Sequence, residues 1–108
     1  MIDKNKKLIR DNVPQIIIDS GRMPITRELY ETEFLFEAKQ KLVEEANEVL
    51  DAKSHEELIE ELADVLEVVY TIAAVENITK EEIENTRVLK NKNKGMFKKR
   101  IFLDSVKR

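Results

Sequence analysis

Glu61 lies inside the apolar stripe of one predicted helix, and this feature constrains the fold most. On a wheel of about 100° per residue, Asp64 lies at the edge of that stripe. The residues within roughly 80° of Glu61 are Leu58, Val65, Val68, Val69 and Ile72. A carboxylate is costly to bury without a partner. The fold must therefore bring either a salt-bridge partner or a metal ion to Glu61.

The preceding predicted helix carries a matching acidic pair. Glu45 and Glu48 share one helix face, as do Glu61 and Asp64, because each pair has i,i+3 spacing. Carboxylates gathered in one volume repel each other unless a cation lies between them, and Mg²⁺, or Mn²⁺ in its place, suits such ligands. A salt bridge is the simpler interpretation of any single acid, but the two pairs together favour a metal site. The expected buried face of this helix is Leu42, Ala46, Val49 and Leu50, with Glu45 beside it.

Hydrophobic periodicity predicts an all-α protein, an antiparallel helical bundle with one short and three longer helices. Capping-box sequences start at Ser54 and Thr79, and Gly95 ends the last helix. Residues 96–103 are expected to be extended or to form a last turn. The tight connection at Ser54 gives Glu48 and Glu61 nearly equal heights in a hairpin, and likewise Glu45 and Asp64. The predicted helices span residues 14–19, 32–53, 54–76 and 79–93.

Composition narrows the possible functions. The 108 residues predict one domain, and charged residues make up 38% with two glycines and two prolines, which suits helices. There is no cysteine for a thiolate zinc site, and the lone His55, expected to be exposed at a helix start, excludes a histidine cluster. We expect a cytoplasmic protein, because no segment resembles a signal peptide or reaches membrane-spanning length.

Charge and size suggest the partners. The net charge of −3 argues against duplex nucleic-acid binding. Basic residues dominate from Lys90 onward, and an acidic site with a basic tail suits a metal and a polyanionic small substrate, although a solvated terminus is the simpler explanation. A helical chain of this size often gains buried area by oligomerising, so we expect a homodimer or homotetramer. Candidate contacts are Ile72, Val75 and Ile83, or Phe34 and Phe36.

The segment 42–49 followed by 61–65 resembles the all-α nucleotide pyrophosphohydrolase superfamily, whose signature is EExxE followed by ExxD. This superfamily includes MazG-like NTP pyrophosphatases, all-α dUTPases and phosphoribosyl-ATP pyrophosphohydrolases. Segments 7–17 and 94–101 resemble its phosphoribosyl-ATP pyrophosphohydrolase-like subgroup. The chain departs from that subgroup at Asn12, where a basic residue is usual, and at Met96, where a second glycine is usual.

The resemblance implies Mg²⁺-dependent hydrolysis between the α- and β-phosphates of a nucleotide, releasing a monophosphate and pyrophosphate. Glu44 is then the candidate catalytic residue, which could act as the general base, orient the attacking water or have no role. The implied metal ligands are Glu45, Glu48, Glu61 and Asp64, and the candidate substrate contacts are Arg10, Asp11, Lys41, Lys94 and Arg100.

Several alternatives remain open. Lys41 could instead pair with Glu45, and Asp11 could bridge Arg10 to the core. Tyr70 and Phe97 could stack on a base, although core packing is the simpler expectation. At the level of function, the alternatives are phosphoribosyl-ATP hydrolysis in histidine biosynthesis and a non-catalytic helical dimerisation module whose acids form structural ion pairs.

Overall fold

The computed structural model describes residues 6–108, and this part of the chain contains four helices and no strand. The all-α prediction is confirmed, and each predicted helix end lies within a residue or two of the observed one. The chain forms two compact units, one ending at Asn77 and the other comprising Ile78–Arg108. The single domain and the packing of the last helix in a bundle stay predictions. The helices are α1 Val13–Asp19, α2 Glu31–Asp51, α3 His55–Val75 and α4 Lys80–Lys94.

Side-chain caps define where α3 and α4 begin, as the capping-box sequences predict. The Ser54 hydroxyl accepts a hydrogen bond from the Glu57 backbone N–H at 3.0 Å, and the Thr79 hydroxyl accepts one from Glu82 N–H at 3.0 Å. The Glu57 carboxylate accepts from the Lys53 backbone N–H at 2.9 Å, one residue before the usual capping-box donor. The two bonds to the hydroxyls satisfy N–H groups that the first helical turn leaves without partners.

Helices α2 and α3 pack as an antiparallel hairpin joined by the short connection before His55. Their contact face on α2 follows the spacing i, i+4, i+7 and i+11 and consists of Ala38, Leu42, Glu45 and Val49, which are buried or half-buried. The prediction that Ala46 and Leu50 belong to this face is wrong: Ala46 is exposed and Leu50 is 82% exposed. Each comes one residue after a member of the contact face, which places it about 100° further round the helix.

The hairpin leaves a second apolar surface uncovered. Among residues 6–108 only Ala38 and Ala73 are buried, and no large side chain in this range is fully buried. The exposed stripe lies about opposite the acidic residues on a helical wheel. We call it the apolar face; it consists of Phe36, Val43 and Leu50 on α2 and Ile59, Leu62 and Leu66 on α3.

The predicted oligomer contacts divide between exposed and half-buried residues. Phe36 belongs to the apolar face, whereas Phe34, Ile72 and Val75 are half-buried within the first unit. Ile83 is half-buried in the second unit. Phe36 is thus the exposed member of the two predicted sets, and the oligomer with its contacts stays a prediction.

The residues after α4 form no further helix. Gly95, at φ +84°, ends α4 in a backbone conformation that favours glycine. One turn follows, in which the Arg100 N–H donates to the Phe97 carbonyl at 3.2 Å. The expectation that Phe97 packs in a core is wrong, since its side chain is 95% exposed, whereas Tyr70 is half-buried. Within residues 6–108, no helix combines the length and the apolar character needed to cross a membrane.

Candidate metal centre

Three carboxylates from the two hairpin helices converge on one volume. Glu45 on α2 and Glu61 and Asp64 on α3 each offer one oxygen, and these oxygens lie within 4.8 Å of one another. All three residues are half-buried, and only 13% of the Glu45 side chain is exposed. Carboxylate oxygens at such separations match the ligand preference of Mg²⁺ and Mn²⁺. The residues present therefore fit a hard divalent cation.

Helical spacing and hairpin register explain this convergence. Glu61 and Asp64 lie on one face of α3 because they are three residues apart. Glu45 occupies the middle of the α2 contact stripe, between Leu42 and Val49, so that it faces α3. The antiparallel arrangement then brings the three residues to similar heights. Glu45 therefore lies within the contact stripe and not, as its sequence position had predicted, beside it.

Glu48 is the one predicted ligand that does not join the cluster. It is exposed, and its oxygens are not among those that converge with Glu45, Glu61 and Asp64. Its charge still lies close enough to Glu61 to raise the pKa of that residue. The assignment of Glu48 as a fourth metal ligand stays a prediction.

Glu61 is the electrostatically least favourable member of the cluster. Partial burial raises the pKa of the Glu61 carboxyl, and the negative charges of Glu48, Asp64 and Glu45 raise it further, as does Glu60. In the described part of the chain no ion pair to Glu61 is present, although Glu45 and Asp64 each have one. A cation held between these carboxylates would relieve repulsion most at Glu61.

Lys41 neutralises the α2 side of the site. Its Nζ lies 3.6 Å from Glu45 Oε1 and 3.8 Å from Glu44 Oε2. The alternative in which Lys41 pairs with Glu45 at i,i+4 spacing is thus present in the structure. Glu44 is exposed beside this ammonium group. A phosphate contact for Lys41 and a general-base role for Glu44 stay predictions.

Arg10 supplies a cation from outside the hairpin. Its Nη2 donates to Asp64 Oδ1 at 2.7 Å, across a sequence separation of 54 residues. This ion pair was not predicted from the sequence, because no local pattern relates two residues so far apart. The Arg10 carbonyl accepts a hydrogen bond from Val13 N–H at 3.0 Å, which ties its backbone to the start of α1.

The remaining substrate-contact candidates lie apart from this cluster in the sequence. Asp11 is exposed next to Arg10, and its role stays a prediction. Lys94 is the last residue of α4 and Arg100 lies in the turn that follows. Both belong to the second unit, and their assignment as phosphate contacts stays a prediction.

A family model described as phosphoribosyl-ATP pyrophosphohydrolase matches residues 16–93 of the 108-residue chain. The matched region contains α2, α3 and all four acidic residues of the two pairs, together with Lys41 and Glu44. It excludes Arg10 and Asp11 at one end and Lys94 and Arg100 at the other. No curated protein and no solved structure matches the chain.

Proposed function

Because the chain belongs to the phosphoribosyl-ATP pyrophosphohydrolase family, we propose that it is a metal-dependent nucleotide pyrophosphohydrolase. In the proposed reaction, water attacks a nucleotide at the bond between its α- and β-phosphates. One P–O bond forms, the bridging P–O bond breaks, and the products are a nucleoside monophosphate, pyrophosphate and a proton. The observation that supports this most is the convergence of oxygens from Glu45, Glu61 and Asp64 within 4.8 Å.

Glu45, Glu61 and Asp64 would hold the divalent cation, Mg²⁺ or Mn²⁺, with Glu48 as a fourth ligand. The bound ion would neutralise phosphate oxygens and lower the pKa of a coordinated water. Glu44 would accept the proton of the attacking water. It lies next to Glu45 in the same turn of α2, and its side chain is exposed to solvent.

Basic side chains would bind the polyphosphate. Lys41 and Arg10 already contact the carboxylate cluster, so a phosphate drawn to that site would lie close to both. Asp11 would orient the substrate or its neighbour Arg10. Lys94 and Arg100 would add charge from the basic C-terminal segment, which carries most of the cations outside the first unit.

The second candidate substrate is phosphoribosyl-ATP, which the description of the matching family favours directly. Its hydrolysis cleaves the same α–β phosphate bond, so the same carboxylates would serve both reactions. The two functions differ only in how the base and sugar are recognised. The reaction would occur in the cytoplasm, where nucleotide substrates are abundant.

We also propose that the protein acts as a homodimer or homotetramer. The apolar face of the hairpin is exposed in the single chain, and a second copy would cover it. This face lies away from the carboxylates, so that association would leave the candidate metal centre open to substrate.

A nucleotide panel tests the proposed activity. The purified protein is incubated with Mg²⁺ and a series of ribo- and deoxynucleoside triphosphates and phosphoribosyl-ATP, and pyrophosphate and the monophosphate product are measured. We expect equimolar pyrophosphate and monophosphate from at least one substrate, and none in EDTA. Asp64→Asn should be inactive, whereas Glu67→Gln, an exposed acid on the same helix outside the cluster, should retain activity. Absence of pyrophosphate with every substrate would favour the non-catalytic dimerisation module.

A further inference from the structure

The ion pair between Arg10 and Asp64 links the segment before α1 to the candidate metal centre. Arg10 Nη2 and Asp64 Oδ1 lie 2.7 Å apart, which is the distance of a charge-assisted hydrogen bond. Asp64 is one of the three converging carboxylates. Any cation bound by all three must therefore share Asp64 with Arg10 or replace it.

The pair is accessible enough to be exchanged. The Arg10 side chain is 61% exposed and that of Asp64 is 38% exposed, so water competes with both charges. Exposed pairs of this kind contribute little to stability. The Arg10 backbone is held by its bond from Val13 N–H, and the preceding Leu8 and Ile9 are half-buried. The guanidinium can leave Asp64 while the backbone that carries it stays in place.

The charges of the site favour such an exchange. Three carboxylates converge, and two cations, Arg10 and Lys41, contact them. A divalent ion would add two positive charges beside the guanidinium and repel it. A nucleotide would then bring phosphate oxygens, and the planar guanidinium binds phosphate in the same two-pronged manner as it binds carboxylate.

We propose that Arg10 is an exchangeable counter-ion: it holds Asp64 in the metal-free protein, releases it to a divalent cation, and then binds a phosphate group of the nucleotide. This inference rests on the proposed function, since it requires a metal at Glu45, Glu61 and Asp64. It adds an order of binding, in which the metal binds first and thereby makes Arg10 available to the substrate.

The exchange predicts that removal of the Arg10 guanidinium changes the affinities for Mn²⁺ and for pyrophosphate in opposite directions. Arg10 competes with the metal for Asp64, so Arg10→Met should bind Mn²⁺ alone about two- to fivefold more tightly than the wild type. In saturating Mn²⁺ the same variant should bind pyrophosphate more weakly, because it lacks the released guanidinium. An arginine that only orients Asp64 would instead make metal binding weaker when removed.

Calorimetry measures the affinities for Mn²⁺ and for pyrophosphate on the 108-residue chain. Arg27→Met is the matched control, since the exposed Arg27–Glu33 pair, at 2.8 Å, has the same chemistry at the start of α2 and belongs to the same unit. Its affinity for Mn²⁺ should equal that of the wild type. Arg10→Lys keeps the positive charge but cannot donate the two parallel hydrogen bonds of a guanidinium. Its Mn²⁺ affinity should therefore lie closer to the wild-type value than its pyrophosphate affinity does.

A measurement on the wild type needs no variant. In NMR spectra, the guanidinium protons of Arg10 should exchange with water more slowly in EDTA than after Mg²⁺ is added without nucleotide. An exchange rate that saturating Mg²⁺ leaves unchanged would overturn the inference, as would equal or weaker Mn²⁺ binding by Arg10→Met. If the wild type binds neither ion, the proposed function itself fails, and the inference fails with it.

Discussion

Glu45 on α2 and Asp64 on α3 place carboxylate oxygens within 4.8 Å of each other across the helical hairpin. Each also has a cation of its own, Lys41 for Glu45 and Arg10 for Asp64. Glu61 belongs to the same cluster and has no ion pair in the described part of the chain. This uneven neutralisation determines what removal of each charge, or addition of a metal, should do.

Divalent metal should stabilise the protein. Binding to the folded state alone contributes about 2.7 kcal/mol when the free metal exceeds its dissociation constant a hundredfold. Thermal melts in EDTA and in millimolar Mg²⁺ measure this gain as a higher Tm. Asp64→Asn should lose the shift, and Glu67→Gln should keep it. Unchanged melting of the wild type, together with no binding by calorimetry, would count against a metal site.

Glu61→Gln and Asp64→Asn should abolish pyrophosphate release and retain the fold. Loss of a metal ligand removes charge neutralisation and water activation together, so turnover should fall by orders of magnitude. Glu61→Gln should raise the Tm in EDTA, because it removes one charge from a repulsive cluster. Turnover and Tm are measured on the same preparations. A destabilised Glu61→Gln protein with near wild-type turnover would refute the assignment and favour a structural ion pair.

The contribution of Glu61 to the stability of the metal-free protein should become less favourable as pH rises through its pKa. Burial and neighbouring charges raise this pKa in the folded state, so the folded protein binds the proton more tightly than the unfolded chain. At a pH well below the ordinary pKa of glutamate, Glu61 is protonated in the folded and the unfolded state, and its repulsion does not reduce the free energy of unfolding. At a pH above the raised pKa, Glu61 is ionised in both states, and the repulsion in the folded state reduces the free energy of unfolding by its full amount.

Urea unfolding in EDTA at several pH values, from the ordinary glutamate range to neutrality, checks this dependence. The difference in unfolding free energy between Glu61→Gln and the wild type should increase as pH rises. A constant difference would show that Glu61 does not carry the effect. Saturating Mg²⁺ should reduce the difference at neutral pH or reverse its sign, because the wild type then gains a ligand that the variant holds poorly.

The apolar face should mediate self-association. Sedimentation equilibrium should show a dimer or tetramer for the wild type. The double variant Leu62→Gln, Leu66→Gln should shift toward the 12.6 kDa monomer, since both side chains are exposed on the apolar face. Met23→Gln, Ile25→Gln is the matched control, because both residues are exposed before α2 and lie outside that face. A wild type that is monomeric at micromolar concentration would overturn this prediction.

The local sequence was sufficient to locate the helices. Ser54 and Thr79 carry hydroxyls that cap the next turn, and Gly95 permits the positive φ that ends α4. These signals act over a few residues and need no tertiary context. The i,i+3 spacing of Glu61 and Asp64 likewise puts two carboxylates on one helix face in any fold that keeps α3 helical.

Tertiary structure decided which of the candidate residues meet. Glu45 lies in the contact between α2 and α3, whereas Glu48 and Leu50 are exposed. The reason is that α3 packs against only one of several neighbouring stripes on α2. Tertiary structure also joined Arg10 to Asp64, a contact between distant parts of the chain that no short-range pattern encodes. Helix propensity and spacing act within a turn or two, whereas the charge balance of the site depends on which surfaces pack together. The sequence by itself therefore determined the helices and the carboxylate pairs, and only the fold decided how each carboxylate is neutralised.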